Sequence, residues 1–188
     1  MLKRSSLLFI FFLFSCQEPA PKNTYIPPIP LDPIQNVLSV NKDFDNLWSS
    51  LLVELGADYK VKSRDIDAGE LILLFDTNKV SNYINCGMMN EEVYVNYIDR
   101  IFESSLDGQI NISLDRIDKN NTSIKINIKY RFVSKETGTR WSFETNKPKS
   151  ILVGNPAYGL DPYRECRSSN FLESVLTETI TKNHSHIK

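Results

Sequence analysis

The most regular feature of the chain is an alternation of apolar and polar residues near its centre. Its apolar members are Ile124, Ile126, Ile128, Tyr130 and Phe132. Because successive side chains of a strand point to opposite faces, this pattern predicts a β-strand with one buried and one exposed face. The segment from Ile110 to Leu114 alternates in the same way, and a polar turn at 119–121 separates the two. Such a short turn favours antiparallel pairing, so the sequence predicts an antiparallel sheet.

Further segments extend this sheet on both sides. Residues 58–64 alternate with one polar face, and residues 70–75 form a more buried strand after a turn at 66–69. A second turn at 137–139 leads into a strand that carries Trp141 and Phe143. Residues 88–102 fit both a strand and a helix, and the sequence leaves the two alternatives open.

Two amphipathic helices flank the strands. The first carries an apolar stripe at helical spacing, formed by Phe44, Leu47, Trp48, Leu51, Leu52 and Leu55. Asn41 or Asp43 is placed to cap its start, and Gly56 is expected to end it. The last helix is expected to begin near Ser168 or Asn170, with Glu173 in a capping box. Its inner face is predicted to consist of Phe171, Leu172, Val175, Leu176, Thr179 and Ile180.

This order of elements predicts the fold class. An antiparallel sheet with one apolar face needs a cover, and the helices at its two ends supply apolar stripes that fit it. The sequence therefore predicts an α+β domain in which an antiparallel sheet forms a two-layer structure with an N-terminal and a C-terminal helix. This domain is expected to span residues 42–188.

The first 15 residues have the composition of a secretion signal. Lys3 and Arg4 precede eight uninterrupted apolar residues, Leu7 to Phe14. Eight residues are too few to cross a bilayer, which needs roughly 20 in a helix. A short apolar run behind positive charge is typical of a cleavable signal peptide.

The end of this signal, Leu13-Phe14-Ser15-Cys16, resembles the lipobox of bacterial lipoproteins. The resemblance implies cleavage before Cys16 and attachment of a diacylglycerol, with acyl chains such as palmitate, to the Cys16 sulfur. Two or three acyl chains hold a protein stably on a membrane. Gln17 stands where an aspartate commonly retains such lipoproteins at the inner membrane, which favours the outer membrane. The alternatives are an ordinary signal peptide or a buried N-terminal helix with an incidental cysteine.

Residues 16–41 are rich in proline. Six of the nine prolines of the chain lie here, at positions 19, 21, 27, 28, 30 and 33. Dense proline excludes regular helix and favours extended chain, so this segment is expected to be a mobile spacer between lipid and domain. The alternative is a recognition strand that contacts a partner through Tyr25, Ile26, Ile29 and Leu31.

Three cysteines are present, and the lipid accounts for one of them. Cys86 and Cys166 then remain in an exported domain, where disulfides are stable. We therefore expect these two cysteines to form a disulfide. The alternatives are a metal site with His184 and His186, or two free buried thiols.

Charge and motifs exclude several functions. The chain has 22 basic and 23 acidic residues, and loss of Lys3 and Arg4 with the leader leaves a net charge of −3. Because no basic stripe is visible in the sequence, no nucleic-acid partner is expected. Motifs for nucleophilic hydrolysis, zinc hydrolysis and nucleotide binding are missing from the sequence, so neither catalysis nor a cofactor is expected. The neighbouring acids at 65/67 and 91/92 are interpreted as turn residues and as part of the ambiguous segment.

A family resemblance covers about a third of the chain. Residues 44–75 resemble the start of the repeated domain of BamC (NlpB-type) outer-membrane lipoproteins. The resemblance rests on the Trp48/Leu51/Leu52/Leu55 helix, Gly56, a strand, and Asp67-x-Gly69 ahead of an apolar strand. The segment Cys166-x-Ser168-Ser169-x-x-Leu172-Glu173 resembles the last helix of related envelope lipoproteins. The resemblance implies a single helix-grip domain, in which a curved sheet holds a long C-terminal helix.

BamC works by binding proteins in the machine that inserts β-barrels into the outer membrane. The resemblance thus implies a lipid-anchored outer-membrane protein facing the periplasm. Its expected role is a non-catalytic protein-binding subunit of an assembly or export complex. The first alternative is a module that binds a small ligand or glycan in the helix-grip groove. The second is a lipid-tethered enzyme.

Overall fold

The computed structural model describes residues 24–93, 104–134, 140–153 and 163–184. Within these ranges the helices are α1 (Phe44–Asp58), α2 (Val80–Tyr83) and α3 (Phe171–His184). The strands in chain order are β1 (Tyr25–Ile26), β2 (Val37–Val40), β3 (Lys60–Asp65), β4 (Glu70–Thr77), β5 (Ile84–Asn85), β6 (Met88–Met89), β7 (Glu92–Val93), β8 (Ser104–Arg116), β9 (Thr122–Ser134), β10 (Arg140–Glu144), β11 (Lys149–Val153) and β12 (Tyr163–Ser168).

The main sheet is antiparallel and centres on the long hairpin of β8 and β9. Its order is β10-β9-β8-β4-β3, and β2 also pairs with β9. Ile110 lies opposite Ile128 and Ile112 lies opposite Ile126, so the apolar side chains of the two strands point to the same face of the sheet. Asp118 shapes the connecting turn, because its Oδ1 atom accepts hydrogen bonds from the backbone N–H groups of Asn120 and Asn121.

The apolar face of this sheet is covered by α1 and α3. The buried stripe of α1 consists of Phe44, Leu47, Trp48, Leu51 and Leu55, and that of α3 includes Leu172, Leu176 and Ile180. Both stripes belong to one core with the alternating residues of β4, β8, β9 and β10. The chain therefore folds as an α+β domain with an antiparallel sheet and two long helices, and the predicted fold class is confirmed at this level.

Aromatic rings form one row across the core face. Phe75, Gly108, Tyr130 and Phe143 lie at matching register positions on four neighbouring strands. The ring of Phe75 lies over Gly108 and makes an edge contact with the ring of Tyr130, with ring centroids 6.4 Å apart. The missing side chain at Gly108 is what allows this row to close.

Several helix and strand details differ from the sequence expectations. Asp43 caps α1 by accepting a hydrogen bond from Asn46 N, but the helix continues past Gly56 to Asp58. All six residues of β3 are exposed, because this strand is at the edge of the sheet. The side chain of Glu173 contacts Thr145 and is directed into the core. Phe171 is partly exposed and packs edge-on against Tyr83.

The proline-rich segment also differs from the expected spacer in its described part. Tyr25–Ile26 pairs with Met88–Met89, and Val37–Val40 pairs with residues 122–125 of β9. Strand pairing uses backbone groups, so it needs only a few residues without proline, and the prolines at 27, 28, 30 and 33 fall between the two strands. Residues 16–23 lie outside the described ranges. So do residues 94–102 of the ambiguous segment, whose first part forms β6 and β7.

Candidate functional site

The polar phases of β8, β9 and β10 form the outer face of the main sheet, opposite to the helices. Together with the segment after β10, they enclose a groove of about 530 Å³. Its lining consists of the charged and polar residues Asp107, Gln109, Lys129, Arg131, Ser142, Glu144, Lys147 and Lys149 and also includes Leu74, Gly108, Tyr130 and Phe143. We call this the outer groove. Its volume lies within the range of roughly 300–1,000 Å³ found for ligand sites.

The outer groove is positively charged on an acidic protein. Four lining residues are cationic and two are anionic, so the lining carries a net charge of +2. The whole chain has a net charge of −1. A concave site lined by one sign of charge concentrates the field of its groups and attracts ligands of opposite charge.

Strand register brings the charged groups of the groove together. Asp107 lies opposite Arg131, whose Nε atom is 3.0 Å from each carboxylate oxygen. Lys129 lies opposite Glu144, with Nζ and Oε1 3.1 Å apart. The hydrogen bond with Asp107 raises the pKa of Arg131, and the hydrogen bond from Lys129 lowers the pKa of Glu144.

A tight turn places the remaining cations. Lys147 N donates to Glu144 O at 2.7 Å, and this turn brings Lys147 back to the mouth of the groove. Lys149 follows at the start of β11, and its Nζ atom lies 2.8 Å from Glu165 Oε2. This contact is the main reason that the pKa of Glu165 is lowered. The same carboxylate also contacts Arg167 Nε at 2.6 Å.

Amide side chains connect the groove to the rest of the outer face. Lys62 Nζ donates to Gln109 Oε1 at 2.9 Å, and Gln109 Nε2 donates to Asn111 Oδ1 at 2.5 Å. Asn127 Nδ2 then donates to Glu144 Oε1 at 3.4 Å. This chain of contacts holds the polar side chains in defined positions, which reduces the conformational entropy that a binding partner has to overcome.

A second polar cluster lies inside the core, at the start of α3. Thr145 Oγ1 accepts a hydrogen bond from Ile128 N at 2.8 Å and donates to Glu173 Oε1 at 3.1 Å. Glu173 is only 3% exposed, and burial raises its pKa. Its Oε2 atom has no hydrogen-bond partner within the described part of the chain. This carboxyl group belongs to the core, so it does not supply an acid to the groove.

Tyr130 extends this cluster. Its hydroxyl group donates to Tyr83 O at 2.9 Å and accepts from the Ser168 hydroxyl at 2.7 Å, and burial raises its pKa. These contacts join β9, α2 and the end of β12, just before α3, through a single side chain. The cluster thus has a structural role in holding α3 on the sheet.

The two disulfide cysteines selected from the sequence do not line the outer groove. Cys16 is outside the described ranges. The sulfur atoms of Cys86 and Cys166 are joined by a disulfide, and their Cα atoms are 4.0 Å apart. His186 and the side chain of His184 also lie outside the described residues, and the part of the chain described contains no metal-binding group of three His, Cys, Asp or Glu residues.

Sequence reasoning missed the outer groove. The signal was present in the polar phases of the predicted strands, where Lys129 and Arg131 alternate with the core residues of β9. The acidic partner of Lys129 is Glu144, 15 positions away in the sequence, and that of Arg131 is Asp107, 24 positions away. Only the register of a defined sheet identifies those pairs.

None of the helices in the described ranges combines the length and the apolar content that a membrane crossing requires. No protein-family model, curated protein or solved structure matches the chain.

Proposed function

We propose that the protein is a lipid-anchored lipoprotein of the outer membrane whose domain faces the periplasm. In this proposal it is a non-catalytic protein-binding subunit of an envelope assembly or export complex. The outer groove binds an acidic segment of the partner. The observation that carries the binding role is the positive, preordered groove on a domain whose net charge is negative.

The groove favours binding over catalysis. Its two carboxylates face cations at hydrogen-bond distance, and the pKa of Glu144 is lowered. A general acid needs the opposite, a carboxyl group that stays protonated near neutral pH. A carboxylate of a partner can instead contact the groove cations, because exposed ion pairs exchange partners at little cost.

The N-terminal sequence supports the location. The charged and apolar leader ends at Cys16, and Gln17 follows in place of an aspartate. We also propose that the domain has the helix-grip fold. This is supported by α3, which packs its buried stripe on the apolar face of an antiparallel sheet. The alternative of a ligand between helix and sheet is less favoured. Side chains such as Ile128, Leu176 and Ile180 already fill that region.

The lipid anchor is tested by Cys16→Ala. We expect this variant to lose metabolic labelling by fatty acid and to move from the membrane fraction to the soluble fraction. The control is Cys86→Ala with Cys166→Ala, which keeps the lipobox cysteine and should keep the label. Retention of the Cys16→Ala variant in the membrane fraction would contradict the anchor.

The binding role is tested by photo-crosslinking in intact cells. A photoreactive amino acid at Ser142 lies inside the groove, and one at Val53 lies on the exposed surface of α1. We expect a discrete adduct from position 142 and none from position 53. Lys147→Glu should abolish the adduct by removing the positive charge of the groove, whereas Lys119→Glu in the distant β8–β9 turn should leave it unchanged. Equal adducts from both charge reversals would refute the groove as the binding site.

A further inference from the structure

The segment Thr24–Ile26, which we call the strap, contacts the polypeptide next to each cysteine of the Cys86–Cys166 disulfide. Tyr25 and Ile26 pair with Met89 and Met88 of β6. Thr24 N donates to Asn90 Oδ1 at 2.9 Å, and Asn90 N donates to Thr24 O at 3.0 Å. β6 begins two residues after Cys86, so the strap is fixed to the polypeptide on that side of the disulfide.

The strap also contacts the residue next to each cysteine. The hydroxyl group of Tyr25 donates to Glu165 O at 3.0 Å and accepts from Glu165 N at 3.1 Å, immediately before Cys166. On the other side, Ile26 O occupies the space that a side chain at Gly87 would need, immediately after Cys86. Gly87 has a φ of +78°, which suits glycine. The strap is thus packed closely against both sides of the disulfide.

The disulfide is inaccessible while the strap is in place. Cys86 is 1% exposed and Cys166 is 0% exposed. Disulfide reduction requires a thiolate to approach one of the sulfur atoms directly. Because the strap packs against the neighbours of both cysteines, we expect its displacement to widen the path to the sulfur atoms.

The strap in turn depends on the disulfide. The sheet β1-β6-β7 consists of two-residue strands, and such a small sheet is marginal without attachment to a larger structure. The Cys86–Cys166 bond joins the segment that enters β6 covalently to β12. When this bond is broken, the pairing of Asn85 with Arg167 and of Ile84 with Ser168 still joins the two sides, but a ladder of two residues is marginal without the covalent link. Strap docking and disulfide formation therefore stabilise each other.

We infer that the disulfide and the strap form a redox-controlled latch that sets the length of the membrane tether. A dithiol reductant transfers two electrons and two protons to the disulfide, which yields the Cys86 and Cys166 thiols and the oxidised, disulfide form of the reductant. The strap then detaches. Pro28 is the next buried residue along the chain, so the freed segment reaches Pro28.

The effect on reach depends on the lipid anchor at Cys16 proposed above. With the strap docked, eight residue steps separate Cys16 from Thr24, which allows at most about 28 Å. With the strap released, 12 residue steps separate Cys16 from Pro28, which allows at most about 42 Å. Lys149 of the outer groove contacts the side chain of Glu165, and the Tyr25 hydroxyl group forms hydrogen bonds with the backbone of the same residue. The latch therefore controls how far the groove extends from the membrane.

Hydrogen exchange on the full-length protein in detergent tests the latch, with the disulfide intact and after reduction by a dithiol. We expect the amides of residues 25–26 and 88–89 to exchange at least about tenfold faster after reduction. Amides of β8 and β9 should keep their protection. Unchanged exchange of the strap, or loss of protection throughout β8 and β9, would overturn the proposal.

The reverse coupling is tested by Tyr25→Phe, which removes the two hydrogen bonds to Glu165 and keeps the ring. We expect the dithiol to reduce its disulfide about tenfold faster, the effect of losing one to two hydrogen bonds. Tyr59→Phe is the matched control, and its reduction rate should equal that of the native protein. Equal rates in all three proteins would refute the coupling.

Fatty-acid labelling of the same samples separates the latch from the anchor. An unlabelled protein that shows the expected exchange and reduction rates disproves the lipid anchor and leaves the latch intact. A labelled protein without those changes disproves the latch alone.

Discussion

Alternate residues of β8 and β9 make two faces with opposite properties. On the inner face, Ile110 and Ile128 are completely buried against the helices. On the outer face, Asp107 and Arg131 form a solvent-exposed ion pair in the groove. The same backbone register aligns both pairs. One hairpin thus supplies a core whose contacts stabilise the fold and a polar surface whose contacts contribute little to stability.

Because of this difference, the outer face should tolerate substitution better than the inner face. A buried aliphatic side chain contributes its transfer free energy and fills volume that its neighbours cannot fill. An exposed ion pair has already lost most of its Coulomb energy to solvent screening. Residues of the outer face are therefore free to change with the binding partner, while those of the inner face are constrained by packing.

The largest expected effect is that of Ile128→Ala on the inner face. Ile128 is 0% exposed, so truncation leaves a cavity beneath α3. We expect the free energy of unfolding to fall by about 3–4 kcal/mol, measured by urea denaturation. Lys129→Ala, one residue further along on the outer face, should cost less than about 1 kcal/mol. Similar losses for the two variants would break the distinction between the faces.

Gly108→Ala is expected to have the next largest effect, because the added side chain would clash with a core ring and with the backbone of the neighbouring strand. An added Cβ would lie 2.5 Å from the Phe75 ring and 2.7 Å from the carbonyl oxygen of Lys129. The carbonyl belongs to the paired backbone and cannot move away, so we expect a loss of about 1–3 kcal/mol in the same measurement. Gly56→Ala is the control. Its Cβ would meet only Val61, at 3.9 Å, and alanine should stabilise α1 by about 0.5–1 kcal/mol.

These two faces were not equally predictable from the sequence. Alternation identified the buried residues of β9, and helical spacing identified the stripe of α1 together with its Asp43 cap. Those patterns are local, because burial on one face repeats every two or about 3.6 residues. The groove and the strap depend on pairing between distant segments. Tyr25 is 140 residues from Glu165, and no local periodicity reports such a contact.

Glu173 shows the same limit and gives a pH-dependent prediction for the inner face. Its folded-state pKa is raised above the ordinary value of 4.5, mainly by burial. The folded state therefore binds this proton more tightly than the unfolded state does. The stabilisation is fully present below pH 4.5 and is lost as the pH rises through the raised pKa.

Glu173→Gln should remove this pH dependence. We expect the variant to be more stable than the native protein by about 1 kcal/mol at neutral pH, because it no longer buries a charge. The difference should vanish below pH 4.5. Urea denaturation from pH 4 to pH 8 measures it, with Glu178→Gln on the exposed side of α3 as the control. A difference that grows towards acid pH would show that the buried carboxyl group is stabilised as the anion.

The smallest expected effect is that of Glu144→Gln on the outer face, and it has the opposite sign with pH. The hydrogen bond from Lys129 lowers the pKa of Glu144 below 4.5, so the folded state favours the anion. This stabilisation is present above pH 4.5 and is lost as the pH falls through the lowered pKa. Since the pair is largely exposed, we expect a change smaller than that of Glu173→Gln. Glu144→Gln should therefore destabilise the domain slightly at neutral pH, and this effect should disappear as the pH falls through the lowered pKa. If both glutamine variants instead changed stability in the same direction at neutral pH, the two faces would not differ electrostatically as their burial implies.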